Sequence, residues 1–166
     1  AEPALFLSLI ALARATGHWS LSRIYAGINP GEWGAIGGGL ILIIIALTIV
    51  FLAENSRIPF DDPNTHLELT MIHEVMVLDY SGPDFALIEL AHTLKFWVLG
   101  SLIVGLAIPF RSGSYAVDTI IAVVGLFALA VVVGFIESIM ARLRLIRIPE
   151  MLLGASLLAA MAIVIV

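Results

Sequence analysis

Long apolar runs separated by polar stretches set the pattern of this chain. The runs cover residues 4–13, 33–53, 85–109, 116–140 and 149–166. Crossing the hydrocarbon core of a bilayer takes about 20 residues of helix. Runs 33–53 and 116–140 are long enough to span with some tilt, and 149–166 stops at about 18 residues, the short limit for a span. The first run falls short of that. It follows Ala1-Glu2-Pro3, with no Met, no basic region before it and no small-residue cleavage site after it. It therefore reads as the remnant of a spanning helix in a protein that continues upstream, not as a signal peptide. None of the runs shows the two-residue alternation of barrel strands, and a helix satisfies its own backbone polar groups in hydrocarbon. The pattern predicts an all-α, polytopic transmembrane helix bundle, with residues 1–166 forming a single membrane domain of about five membrane helices.

Composition strengthens this picture. Hydrophobic residues make up 61% of the chain, only 13% are charged, and the mean hydropathy is +1.10. A soluble domain, with roughly a quarter of its residues charged, is excluded. The chain has no cysteine, so it cannot supply thiolates to an Fe–S cluster or a zinc ion, and it has no disulfide. It lacks a basic patch for nucleic acid. Gly37-Gly38-Gly39 lies inside an apolar run, where small residues let helix backbones approach closely, and reads as packing rather than as a phosphate loop.

The polar stretches are residues 14–32, 54–84, 111–115 and 142–148. If the helices alternate, Arg14, Arg23 and Arg111 mark one side, and Arg57, Arg142, Arg144 and Arg147 the other. The excess of a single cation places the 54–84 loop in the cytoplasm by the positive-inside rule, and the expected location of the chain is a cell (inner) membrane. No pair of matching broken helices, such as inverted-repeat transporters carry, is visible.

Charge is concentrated where a bundle has least use for it. Of the 13 carboxylates, Glu54, Asp61, Asp62, Glu68, Glu74, Asp79 and Asp84 fall between residues 54 and 84, with Arg57 among them. This stretch also carries helix signals. Asp61 or Asp62 suits a cap, Pro63 suits the first helical position, and Ser81-Gly82-Pro83 suits a stop. An amphipathic or partly buried helix over 63–80 is expected, with His66 and His73 on one face, Glu68 and Asp79 on another and Glu74 between. It is apolar over most of its circumference and is better suited to the membrane edge than to plain solvent.

In the next run, Glu89, His92 and Lys95 recur at the i,i+3 spacing of neighbours on a helix. Counted from residue 85, Lys95 lies roughly 15 Å along that helix, about half the hydrocarbon thickness. A charge at the bilayer centre costs about 2.5 to 3.5 kcal/mol on the mildest scale, so such groups pair, face the bundle interior or line a water path. Glu54 has Arg57 three residues on as a ready partner, and Glu137 has Arg142 and Arg144. Glu2 suits a helix start, where an acid complements the dipole. Carboxylates and histidines in series serve proton movement rather than bond-making, and a buried lysine joins them. A plain structural ion-pair cluster is the competing reading. Glu89-xx-His92 is at most half of a di-iron site and has no second copy, and His73-Glu74 lacks the second histidine of a zincin.

The strings Ala53-Glu-Asn-Ser-Arg-Ile-Pro-Phe-Asp61, His66-Leu-Glu-Leu69, Asp79-Tyr-Ser-Gly82 and Phe85-Ala-Leu87 resemble the membrane subunit family shared by respiratory complex I (NADH dehydrogenase subunit 1) and the group 4 membrane-bound [NiFe] hydrogenases. Glu68-Leu-Thr-Met-Ile-His-Glu74 and the Glu137-Ser-x-x-Ala-Arg-Leu-Arg144 tail look like the formate hydrogenlyase or hydrogenase-4 branch. The chain corresponds to about the C-terminal half of such a subunit.

The resemblance implies a non-catalytic subunit that anchors a peripheral redox arm and couples electron transfer to proton or sodium translocation. Its partners would be hydrogenase-like large and small (Fe–S) subunits, antiporter-like membrane subunits and the lipid bilayer. The [NiFe] centre and Fe–S clusters would lie on those partners, with no cofactor on this chain. Glu2, Glu54, Glu68 and Glu74 then look like members of a buried proton path, to which the spacing adds Glu89, His92, Lys95 and Glu137. Arg57 and Asp61 look like the docking loop, with Asp62, His66, His73 and Asp79 beside them. His92 stands where complex I has a glutamate, with Glu89 one turn earlier. The rival readings are a quinone-site subunit of a complex I-like donor:quinone oxidoreductase and, from another class, a stand-alone ion transporter.

Overall fold

The computed structural model describes residues 1–28, 30–60, 82–110, 112–140 and 147–166, without the side chains of residues 32 and 35. Among these residues the chain forms six helices and no strand: α1 (Glu2–Thr16), α2 (Leu21–Gly27), α3 (Pro30–Glu54), α4 (Pro83–Ala107), α5 (Tyr115–Ile139) and α6 (Ile148–Ile165). Residues 36–54 of α3, and α4, α5 and α6 in full, are long and apolar enough to cross a membrane. The α1–α2 pair, bent by 53°, makes a fifth such span if taken as one. The helix expected over 63–80, with its Asp61 or Asp62 cap, lies outside the described residues.

The polar stretch 14–32 differs from its sequence reading, since it holds a helix of its own. Gly17 takes the left-handed conformation (φ 69°) that closes α1. Ser20 is extended at the N-cap position of α2, and Pro30 opens α3. Proline also sits in the first turn of α1, α4 and α6, where its missing N–H costs nothing.

Small residues decide the packing. Ala4, Ser8 and Ala11 on α1, and Ala155, Ala159 and Ala162 on α6, are fully buried at i,i+3 or i,i+4 spacing. Such stripes let the backbones close on α3, whose buried face is Leu40, Ile43, Leu47, Val50 and Phe51. Helix α3 is thus the centre, with α1 and α6 against it, and α4 joining α3 to α5. Ala4, Val50 and Ala155 pack together at one end, whereas Gly39 meets Val166 and Ala162 at the other, so α3 runs antiparallel to α1 and α6. Of Gly37-Gly38-Gly39, only Gly39 faces another helix among the described residues. The α4–α5 pair is antiparallel too. Gly100 sits on Leu126 and Leu129, and Gly125 on Val104 and Ile108. Near the far end, Gly105 leaves room for the Tyr25 ring, and the Tyr25 hydroxyl donates to the Leu102 carbonyl at 3.0 Å.

Candidate functional site

The charged residues converge where α3 ends. The last turn of α3 closes in a Schellman arrangement. The Arg57 N–H reaches the Leu52 carbonyl at 3.0 Å, and the Ser56 N–H reaches the Ala53 carbonyl at 3.3 Å. Ser56 supplies the left-handed residue with φ 50°, a place where glycine is the usual choice. The Asn55 side-chain amide donates to the Phe51 carbonyl at 2.8 Å. Beyond the turn the chain folds inward, so that Pro59 is fully buried and Phe60 enters the main core. The Ala-Glu-x-x-Arg-x-Pro-Phe string is therefore a helix stop with an apolar anchor.

That stop presents two opposite charges to different helices. The Glu54 carboxylate accepts from Lys95 of α4, Nζ to Oε2 at 2.6 Å, a short charge-assisted contact. Arg57 meets Glu137 of α5, Nη1 to Oε1 at 3.4 Å. The Arg57 guanidinium also lies over the Phe96 ring, 5.9 Å from its centroid. Phe96 in turn packs on Phe51 with ring centroids 4.9 Å apart. Four ionisable side chains from α3, its following turn, α4 and α5 thus form two ion pairs, one of which includes the Arg57 that lies over the aromatic pair. All four are partly exposed, with side-chain exposures of 25% to 43%.

These partners differ from the local ones the spacing suggested. Glu54 takes Lys95 and not Arg57, and Glu137 takes Arg57, with Arg142 and Arg144 outside the described residues. The Glu89–His92–Lys95 stripe forms no ion pair within itself among the described residues. Glu89 and His92 are exposed on α4. The register explains this. Lys95 is level with the last residue of α3, so roughly 18 Å of α4 runs past that end, carrying Phe85, Leu87, Leu90 and Leu94 as exposed apolar residues. Glu2 opens α1 at the same end, since Ala4 packs on Val50 and Ala155, and it is exposed. Asp61, Asp62, His66, Glu68, His73, Glu74 and Asp79 lie outside the described residues. Among those described, no three His, Asp or Glu side chains gather as a metal-binding group.

Sequence reasoning missed Phe51, Phe96 and Ser56. The two rings were two more apolar residues in apolar runs, and a serine carries no signal for a left-handed turn. The 80-residue separation of Arg57 and Glu137 hides their pairing from any local pattern.

The fold and this site define a polytopic helical membrane protein with an ion-paired cluster tying three of its helices together at one end. The chain belongs to the NADH dehydrogenase family, which it matches along residues 1–166. It is 30% identical to formate hydrogenlyase subunit 4 of Escherichia coli (strain K12) over 151 residues, 87% of this chain and 48% of that protein. Hydrogenase-4 component C of the same organism is 32% identical over 109 residues, 66% of this chain and 33% of its own length. An NADH-quinone oxidoreductase subunit of Rubrobacter xylanophilus is 31% identical over 101 residues, 61% of this chain and 30% of its own length. The chain spans about half the length of the first of these relatives and about a third of the other two. No solved structure matches it.

Proposed function

We propose that this chain is the coupling part of a membrane subunit in a group 4 [NiFe] hydrogenase-type complex. It anchors a peripheral redox arm through the 54–84 loop and links electron transfer there to proton or sodium movement. The observation that carries this reading is the Glu54–Lys95 and Arg57–Glu137 cluster, which fixes the base of that loop to α4 and α5. A displacement of the loop by a docked partner is thereby transmitted to two membrane helices. Similarity to formate hydrogenlyase subunit 4 and hydrogenase-4 component C supports the hydrogenase branch.

In this reading residues 1–166 form one membrane domain in the cell membrane, and the 54–84 loop faces the cytoplasm. Glu54, Glu68, Glu74, Glu89, His92 and Lys95 are members of an acidic and basic path, with Glu2 and Glu137 at its edge. Arg57, Asp61, Asp62, His66, His73 and Asp79 belong to the docking face. The [NiFe] centre and Fe–S clusters sit on the large and small partner subunits, and antiporter-like subunits adjoin the membrane side. Similarity to the NADH-quinone oxidoreductase subunit favours a second reading, a quinone-site subunit of a donor:quinone oxidoreductase.

Co-purification from native membranes separates the two. Partner chains carrying Cys-x-x-Cys pairs and nickel are expected, whereas nickel-free partners that reduce quinone would establish the second reading. Within the purified complex, Glu68→Gln and Glu74→Gln are each expected to lower coupled ion transport several-fold while hydrogenase turnover with a soluble dye persists. Unchanged transport in both variants removes these residues from the path.

A further inference from the structure

Two features of the cluster are unexpected for its chemistry. Glu54 and Arg57 carry opposite charges three residues apart, yet each is paired elsewhere. The two residues that separate them are consecutive on α4. Lys95 takes the Glu54 carboxylate at 2.6 Å, and Phe96 offers its ring to the Arg57 guanidinium at 5.9 Å. With Glu54 occupied, Arg57 reaches across to Glu137 of α5 at 3.4 Å. The shorter contact lies on the lysine side and the longer one on the arginine side, so the Lys95–Glu54 pair is the tighter link in the chain of charges.

From this geometry we infer that Lys95 is a positioning residue, which keeps the Glu54 carboxylate off Arg57 and thereby leaves Arg57 free to tie the docking-loop base to α5. Lys95 acts through Glu54. Without its ammonium group, Glu54 is left with Arg57 three residues along the chain as an alternative partner, and the Arg57–Glu137 tie then has a competitor. Lys95 and Glu137, which form no ion pair with each other among the described residues, are then energetically coupled. Arginine at position 95 keeps the charge and offers donors to Glu54, so it preserves the sorting, whereas a neutral side chain of similar length does not.

This inference rests on the proposed coupling role, and the test separates the two. The complete complex is reconstituted in proteoliposomes with parental sequence, Glu54→Gln, Lys95→Met, Lys95→Arg, Glu137→Gln and the Lys95→Met/Glu137→Gln double variant. Ion movement is followed with a pH-indicating dye and with radioactive sodium, and each signal is divided by soluble-dye turnover of the same sample. Lys95→Met is expected to lower ions moved per turnover at least fivefold, and Lys95→Arg to restore more than half of the loss. Adding Glu137→Gln to Lys95→Met is expected to cause no further loss, because Arg57 has already left Glu137. Should Lys95→Met fail to assemble, Lys95→Gln carries the same comparison.

Multiplicative losses in the double variant, or equal coupling in Lys95→Met and the parent, overturn the positioning role. If Glu54→Gln lowers coupling and Lys95→Met does not, the Lys95 inference alone fails. If Glu54→Gln leaves ions per turnover unchanged, Glu54 is removed from the proton path, while the sorting role of Lys95 stands, because Arg57 then keeps Glu137 without a competitor.

Discussion

Replacing Phe51 by alanine tests the packing that holds the charged cluster together. The ring is 1% exposed, stacks in tilted fashion on Phe96 and borders Gly100 of α4. In a water-soluble core, Phe→Ala costs about 3 to 5 kcal/mol, the sum of a transfer from water and a cavity. Between membrane helices the transfer part vanishes, because lipid tails are as apolar as the core. What remains is the lost contact and cavity, plus a ring pair worth about 0.5 to 1.5 kcal/mol. The expected loss is therefore about 2 kcal/mol, below the soluble value. Phe127 on α5 is 68% exposed and supplies the control. For Phe127→Ala we expect less than about 0.5 kcal/mol, the range of substitutions away from packed features. Reversible unfolding of the full-length subunit in bilayer discs measures both. Equal losses in the two variants would show that Phe51 is not packed between helices. A Phe51→Ala loss of about 5 kcal/mol would show that the water-based transfer term applies after all.

Two further substitutions probe the same end and the helix contacts. Ser56 holds a left-handed conformation that costs a side chain about 1 kcal/mol or more. Ser56→Gly should be neutral or stabilising in thermal unfolding of the purified complex, and Ser56→Val should lower the midpoint. A side chain at Gly125 would stand 2.5 Å from Val104 Cγ1, whereas one at Gly134 would meet nothing within 4 Å. Gly125→Ala is expected to destabilise by about 1 to 3 kcal/mol as over-packing, and Gly134→Ala by less than about 0.5 kcal/mol, both read by the unfolding assay used for Phe51.

Much of the architecture was legible in the sequence, because the bilayer imposes it. Hydrocarbon forces each apolar run to satisfy its own backbone, so the helical class and four of the about five expected spans follow from run length and hydropathy, the fifth depending on the bent α1–α2 pair. The exception was residues 14–32, where polarity suggested a loop and the chain forms α2. Short helices carry too few residues for a periodic signal, and only Gly17 and Ser20 mark the breaks.

Which side of each helix is buried was not legible in the same way. Helix α3 is apolar all round, so no polar face points to solvent and no apolar face points to the core. Side-chain volume decided it instead, through the small residues Ala4, Ser8 and Ala11 on α1 and Ala155, Ala159 and Ala162 on α6, two helices that pack on α3 and on each other. The ionisable residues were conspicuous in the sequence because charge is scarce in a bundle. Their partners were decided only by tertiary structure. The offset of α4 against α3 brings Lys95 to Glu54 and Phe96 to Arg57, and the antiparallel return of α5 brings Glu137 to Arg57. Local spacing favoured Glu54 with Arg57. The helix stop at Ser56 and the burial of Pro59 and Phe60 turn those two charges toward different helices, and only the packed bundle contains that constraint.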